Sequence, residues 1–157
     1  MYDMVMAPER KNGTRPGTLL GYLLKRAHQR MVAVSSTALE PLGVGRSEFA
    51  VLRALAAHEP LSQQTLAAHL GIDPTTMVAL IDALQSRSIL TRRPDPADRR
   101  RNAIQLTEAG RTLCQDAEAA YAEAEGRFLA PLGEAEALRF RCSLETLLGQ
   151  DGSLADA

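Results

Sequence analysis

Apolar residues recur at helical spacing through the first third of the chain. A helix is predicted to begin near Pro16 and Thr18 and to stop at Pro41 and Gly43, because proline fits the first turn of a helix but interrupts a later one. Its apolar stripe consists of Leu20, Leu23, Leu24, Ala27, Met31, Val34 and Ala38. A second helix with one buried face is predicted over residues 47–57.

Two short helices separated by a glycine turn are predicted next, after a short extended stub at Leu61. Ser62 caps the first of them, and Gly71 closes it, since glycine readily takes the left-handed conformation at a helix end. Asp73 caps the second, which Pro74 begins. The buried stripe of this second helix is Met77, Ile81 and Leu84, and its opposite face carries the small or polar residues Thr75, Thr76, Ala79, Asp82 and Ala83. The pair forms a helix-turn-helix unit whose second helix is slim enough for the major groove.

Two short strands, residues 89–93 and 102–106, are predicted beyond this unit, joined by turn-forming residues. Arginines surround the turn, namely Arg87, Arg92, Arg93, Arg99, Arg100 and Arg101. A helix-turn-helix followed by such a hairpin is a winged helix. An arginine at the hairpin tip can enter the minor groove, where negative potential is concentrated. Arg92 and Arg93 can hold flanking phosphates.

Thr107 is predicted to cap a long helix that runs to about Leu129 and is broken at Pro131 and Gly133, before a last helix over residues 134–148. Apolar residues make up 45% of the chain, but aromatic residues only 4%, so the core must be built mostly from Leu, Ala, Val and Ile. Ala and Leu lead the helix propensity scale. The sequence therefore predicts a mainly α fold with a small β-wing.

The net charge of −1 conceals a local concentration of positive charge. Residues 1–86 carry 8 basic and 7 acidic groups, net +1. Residues 87–107 carry 6 arginines against 2 aspartates, net +4, and residues 108–157 carry 4 basic and 10 acidic groups, net −6. Since charges beyond about 10 Å are screened at ordinary salt, a near-neutral total does not exclude a basic face.

Other classes of protein receive little support from the sequence. No apolar run is long enough to cross a membrane, and no secretory signal is found, so we expect a cytoplasmic protein. The two cysteines, Cys114 and Cys142, lack metal-ligand spacing and are interpreted as small core or interface residues, with a redox-sensing pair as the alternative. The histidines His28, His58 and His69 are scattered, and no catalytic motif is present, so we expect neither an enzyme nor a metal site. The main alternative function is a helical interaction module whose arginine hairpin docks an acidic protein.

The wing and the start of the helix that follows resemble the MarR family, the multiple-antibiotic-resistance type of regulators. The family pattern is an Asp, any one residue and then an Arg, with Leu-Thr beginning six residues after the Arg. Asp98, Arg100, Leu106 and Thr107 match this pattern. Residues 66–72 and 76–84 also resemble the family's two short helices, and the resemblance covers about residues 18–148.

The resemblance implies a homodimer that binds double-stranded, palindromic DNA as a ligand-responsive repressor. Residues 45–106 would form the winged helix-turn-helix domain. The flanking dimerisation helices would lie within residues 16–44 and 107–149, and residues 1–15 and 150–157 would be flexible tails. Apolar surface on the flanking helices independently favours a dimer.

The same resemblance assigns candidate DNA-binding residues. Arg100 would enter the minor groove, Asp98 would orient the wing arginines through a salt bridge, and Arg99 would assist. The whole set is Ser62, Thr75, Thr76, Ala79, Arg92, Arg93, Asp98, Arg99, Arg100 and Arg101. Two positions depart from the family. Val78 and Ala79 stand where many members have Ser or Thr and then Arg, and Ser88 stands where a glycine is frequent, which predicts a strained helix end.

Family members often bind a small, frequently anionic aromatic effector between the dimer lobe and the winged helix. The resemblance implies such an effector here, with His28, Met31 and Arg53 as candidate binding residues, and no other cofactor. The alternative interpretation makes His28 a partly exposed helix residue and Arg53 a surface charge beside Glu40 or Glu59.

Overall fold

The computed structural model describes residues 19–94 and 102–149. The helices are α1 (Leu20–Leu39), α2 (Arg46–His58), α3 (Gln63–Leu70), α4 (Pro74–Ser86), α5 (Glu108–Leu129) and α6 (Glu134–Leu148). The strands are β1 (Leu61–Ser62), β2 (Leu90–Pro94) and β3 (Asn102–Leu106). The predicted class, mainly helical with a small β-wing, is confirmed. The predicted tails, residues 1–15 and 150–157, lie outside the described residues.

Side-chain caps begin three of the helices, as the sequence predicts. Ser62 accepts a hydrogen bond from the N–H of Thr65 at 3.0 Å, and Asp73 accepts one from Thr76 at 3.0 Å. Thr107 likewise accepts from Gly110 at 3.0 Å. Each cap satisfies one N–H that has no partner inside its own helix.

Several element ends differ from the sequence prediction. The helix predicted to begin near Pro16 and Thr18 begins at Leu20, where Leu19 is extended and provides no side-chain cap. Its α-helical part ends at Leu39, and a 3-10 turn over Glu40–Leu42 leads to the left-handed Gly43. The second helix is one residue longer at each end than predicted. At its start, the N–H of Gly45 donates to Glu48 at 2.8 Å and so fixes the first turn. The first wing strand begins at Leu90 instead of Ile89.

The three strands form one antiparallel sheet in the order β1-β3-β2. In the wing, β2 pairs with β3 from Leu90 opposite Leu106 to Pro94 opposite Asn102. The stub predicted at Leu61 is the short strand β1, which pairs with β3 at Ile104. The sheet thereby ties the wing to the start of α3.

The core lies between the end of α1, the helices α2, α3 and α4, the sheet and the first half of α5. Its fully buried large side chains include Leu52, Leu55, Leu66, Met77, Ile81, Leu84 and Ile104. The stripe predicted for α4 is therefore buried. The helix α1 packs along α5. Within the described ranges, no helix is both long and apolar enough to cross a membrane.

Apolar side chains remain exposed on the helices that flank this core. They are Leu20, Tyr22, Leu23 and Leu24 on α1, and Leu138, Phe140, Leu147 and Leu148 on α6. None of the residues of α6 is buried within the chain. Arg141 joins α6 to Glu125 of α5 through an ion pair of 3.2 Å.

Candidate nucleic-acid interface

The outer face of α4 is narrow and exposed. Thr75, Thr76 and Ala79 are all exposed, while Met77 on the opposite side is fully buried. Asp73 caps the helix, and hydrogen bonds from the side chain and backbone of Thr76 hold the pKa of Asp73 below its usual value. The charged form of the carboxylate is therefore favoured, and it supports the first turn of the helix. The geometry brings Thr75, Thr76 and Ala79 together on one surface.

Ser62 lies at the start of α3, beside a surface groove of about 950 Å³ between α3 and α4. The groove also contains Gln63, Gly71 and Asp73. The oxygen of Ser62 is already used, since it accepts from the N–H of Thr65 and lies 2.8 Å from the Thr65 hydroxyl. Ser62 thus fixes the start of α3 beside the groove that the start of α4 also lines.

Arg92, for which a phosphate contact is predicted, is paired with α4 in the structure. Its guanidinium forms an ion pair of 2.5 Å with Asp82 and a hydrogen bond with the side-chain oxygen of Gln85. Arg92 therefore joins the first wing strand to α4. The neighbouring Arg93 is exposed on the same strand.

The other wing candidates, Asp98, Arg99, Arg100 and Arg101, lie outside the described residues. The strands on either side of them are paired as far as Pro94 and Asn102. Their predicted roles stay predictions.

A tight joint connects α4, the wing and α5. Ser88 has a φ of 58°, in the left-handed region that a serine seldom adopts, so the strain predicted for this helix end is present. The Thr107 hydroxyl donates to the Ser88 carbonyl at 2.7 Å. A Cβ added to Gly110 would lie 2.2 Å from the Ile89 carbonyl oxygen, so only glycine fits there. The position of α5 therefore constrains the end of α4.

Glu59 makes a second joint, which the sequence pattern does not predict. Its carboxylate accepts a hydrogen bond from the N–H of Leu106 at 2.9 Å and forms an ion pair with Arg111. Glu59 thus connects the end of α2 to the last wing strand and to α5. The contact between Glu59 and Leu106 spans 47 residues along the chain, and hydrophobic periodicity carries no signal for such a contact.

A small cleft of about 260 Å³ lies between α2, α5 and α6. The rings of Phe49 and Tyr121 stand 5.1 Å apart in it, and the Arg53 guanidinium lies 6.0 Å from the Phe49 ring. Arg53 pairs with Glu118 at 3.6 Å, which corrects the expectation of Glu40 or Glu59 as its neighbour. α5 packs on α2 and so presents Glu118 to Arg53.

The other two effector candidates lie apart from this cleft. His28 is exposed on α1, and Met31 is half-buried on the same helix. Neither lines the cleft that contains Arg53. The structure therefore does not bring the three candidates together.

The two cysteines occupy different surroundings. Cys114 is buried in α5, and burial, together with the charge of Glu118, raises the pKa of its thiol, an effect that Arg53 partly opposes. Cys142 is exposed on α6. Over residues 19–94 and 102–149, no three His, Cys, Asp or Glu side chains gather closely enough to hold a metal ion.

The chain is similar to known proteins over most of its length. A family model described as MarR family matches residues 42–101. The HTH-type transcriptional repressor Rv2887 of Mycobacterium tuberculosis is 34% identical over 128 residues, which are 82% of this chain and 92% of that protein.

Solved structures agree with this match. The crystal structure of Rv2887 in complex with DNA has a TM-score of 0.76 at 34% identity, covering 83% of this chain and 98% of that one. The structure of CouR from Rhodococcus jostii bound to p-coumaroyl-CoA has a TM-score of 0.74 at 30% identity, covering 87% of this chain and 96% of that one.

Proposed function

The chain belongs to the MarR family of transcriptional regulators, and we propose that it is a homodimeric repressor that binds a palindromic operator and is released by a small effector. The observation that supports this most is the winged helix itself. The capped, narrow α4 stands beside a paired wing whose connecting segment holds Arg99, Arg100 and Arg101. Such a regulator acts in the cytoplasm, where the DNA is.

We assign the two grooves of DNA to two parts of this unit. Thr75, Thr76 and Ala79 of α4 face the major groove. Arg100 enters the minor groove, with Asp98 orienting the wing arginines and Arg99 assisting. Ser62 and Arg93 lie near the backbone phosphates, whereas Arg92 acts by holding α4 against the wing.

The exposed faces of α1 and α6 form the dimer interface in this proposal. So many large apolar side chains exposed on two helices of a small chain mark an association site. A two-fold dimer places two copies of α4 on two half-sites of a palindrome.

The effector is an aromatic or anionic small molecule bound in the cleft beside Arg53. The Phe49 and Tyr121 rings offer a stacking surface. The guanidinium groups of Arg53 and Arg141, which pair with Glu118 and Glu125 at the same cleft, exchange these partners for a carboxylate or phosphate of the ligand. CouR, the relative bound to p-coumaroyl-CoA, supports this class of ligand. The cleft lies against α5, so an effector there acts on the α5 joint that constrains α4.

A salt titration with the operator upstream of its own gene tests DNA binding. We expect the affinity of the wild type to fall steeply between low and moderate salt, because several phosphates are neutralised. Arg100→Ala weakens binding by about tenfold or more and reduces the salt slope by about 1. The matched variant Arg139→Ala, on α6, leaves both nearly unchanged. Equal losses from the two variants, or no duplex binding at low salt, would refute the proposal.

A further inference from the structure

The outer face of α4 carries an apolar patch that the proposed function does not explain. Thr75, Val78, Ala79 and Asp82 follow one another at helical spacing and line a shallow depression together with Pro74. Val78 is 40% exposed, and it is the one large apolar side chain exposed between Arg46 and Leu90. An apolar spot at the centre of a surface that meets DNA requires an apolar counterpart on the DNA.

The polar residues of α4 supply few of the usual contacts to base edges. The helix contains no Arg, Lys, Asn or His, the side chains that donate most hydrogen bonds to guanine or adenine. Its two long polar side chains, Asp82 and Gln85, are both held by Arg92. The side chains left for the groove are short, namely the threonine hydroxyls and the methyl groups of Val78 and Ala79.

We propose that α4 recognises thymine methyl groups through Val78 and Ala79, an inference that rests on the proposed DNA-binding function. The C5-methyl of thymine is the one apolar group on the major-groove edge of a base pair. Val78 meets such a methyl near the centre of each half-site, and Ala79 leaves room for the base pair beside it. The ion pair with Arg92 neutralises the Asp82 carboxylate at the edge of this patch.

Uracil substitution tests this inference, because deoxyuridine lacks only the methyl group. A preferred duplex is first selected from a random library by the full-length protein. Each thymine of the half-site is then replaced by deoxyuridine and the dissociation constant is measured. We expect one or two central positions at which the loss is about fourfold, and about fifteenfold when both half-sites are changed.

Variants of Val78 test whether the loss of affinity with uracil comes from a contact between Val78 and the thymine methyl group. In Val78→Ala, uracil at the sensitive position is expected to weaken binding by less than twofold, because the partner of the methyl is gone. Val78→Thr, which exchanges one methyl for a hydroxyl of similar size, is expected to retain part of the sensitivity. The control Ser86→Ala, at the exposed end of α4, retains all of it.

The outcomes separate the inference from the proposed function. If every uracil duplex binds as well as its thymine parent, the methyl contact is wrong while DNA binding stands. Equal sensitivity in wild type and Val78→Ala also overturns it, since the methyl would then act through the DNA alone. If selection recovers no duplex at low salt, the proposed function itself fails.

Discussion

The winged helix and the helices that flank it bury their apolar residues in different ways. From α2 to β3 the large apolar side chains close into a core of the chain's own, with Leu55, Leu66 and Ile81 fully buried. On the first turns of α1 and along α6, apolar side chains stay exposed, as at Leu147, which is 77% exposed. The first region is complete within one chain, whereas the second requires another copy. Stability and assembly should therefore respond to different substitutions.

The largest expected effect comes from charging the exposed apolar positions of α1 and α6. Leu24→Glu combined with Leu147→Glu places two carboxylates on the proposed interface, and we expect a monomer in sedimentation. DNA affinity should fall by about 10²- to 10⁴-fold, because two linked half-site contacts become independent. The control, Gln29→Glu with Thr146→Glu, adds the same charge at exposed polar positions and leaves the dimer intact. If the double leucine variant stays dimeric, the exposed apolar residues of α1 and α6 do not form the dimer interface, and the two regions do not differ in the way described.

Truncation inside the closed core should destabilise the winged helix at every protein concentration. Leu66→Ala is expected to lower the free energy of unfolding by about 2–5 kcal/mol, since it leaves a cavity at a fully buried site. In the monomeric background of Leu24→Glu with Leu147→Glu, Leu138→Ala, at a position 64% exposed, should change it by at most about 0.5 kcal/mol. Urea denaturation measures both. Similar losses would show that the two regions are not packed differently.

The joint between the regions should be sensitive to a single methyl group. Gly110→Ala is expected to lower the free energy of unfolding by about 1–3 kcal/mol, because its Cβ would meet the Ile89 carbonyl at 2.2 Å. Gly126→Ala, where no atom lies within 4 Å of the added Cβ, should stabilise the same helix by up to about 1 kcal/mol. Thermal denaturation compares the pair. A neutral Gly110→Ala would mean that α5 does not constrain α4.

The smallest effect is expected for the ion pair between the wing and α4. Arg92→Ala should cost at most about 1 kcal/mol of stability, since Asp82 is exposed and solvent screens the pair. Arg127→Ala, which breaks a pair within α5, serves as the comparison for an exposed ion pair. A loss above about 2 kcal/mol in urea denaturation of Arg92→Ala would show that this contact, and not the buried sheet, holds the wing.

The sequence predicts the parts of the fold that local chemistry determines. The caps at Ser62, Asp73 and Thr107 and the left-handed Gly71 are all confirmed, because each depends on residues a few positions apart. The strained turn at Ser88 is confirmed for the same reason.

The contacts that the sequence does not reveal join residues far apart in the chain. Arg53 meets Glu118 and Glu59 meets Arg111 because α5 packs on α2, and Glu59 meets Leu106 because β3 also packs on α2. The sequence pattern predicts a phosphate contact for Arg92. It gives no sign of the ion pair with Asp82, which forms because the wing packs against α4. Hydrophobic periodicity places each helix face, but it does not pair the charges on one helix with those on another.

The most direct measurement of the central claim is the number of chains bound to one operator. Sedimentation of the complex should show two chains on a palindromic duplex, and a duplex with a single half-site should bind at least about 100-fold more weakly. One chain per duplex, with equal affinity for the palindrome and the half-site, would contradict a symmetric pair of winged helices held together by α1 and α6.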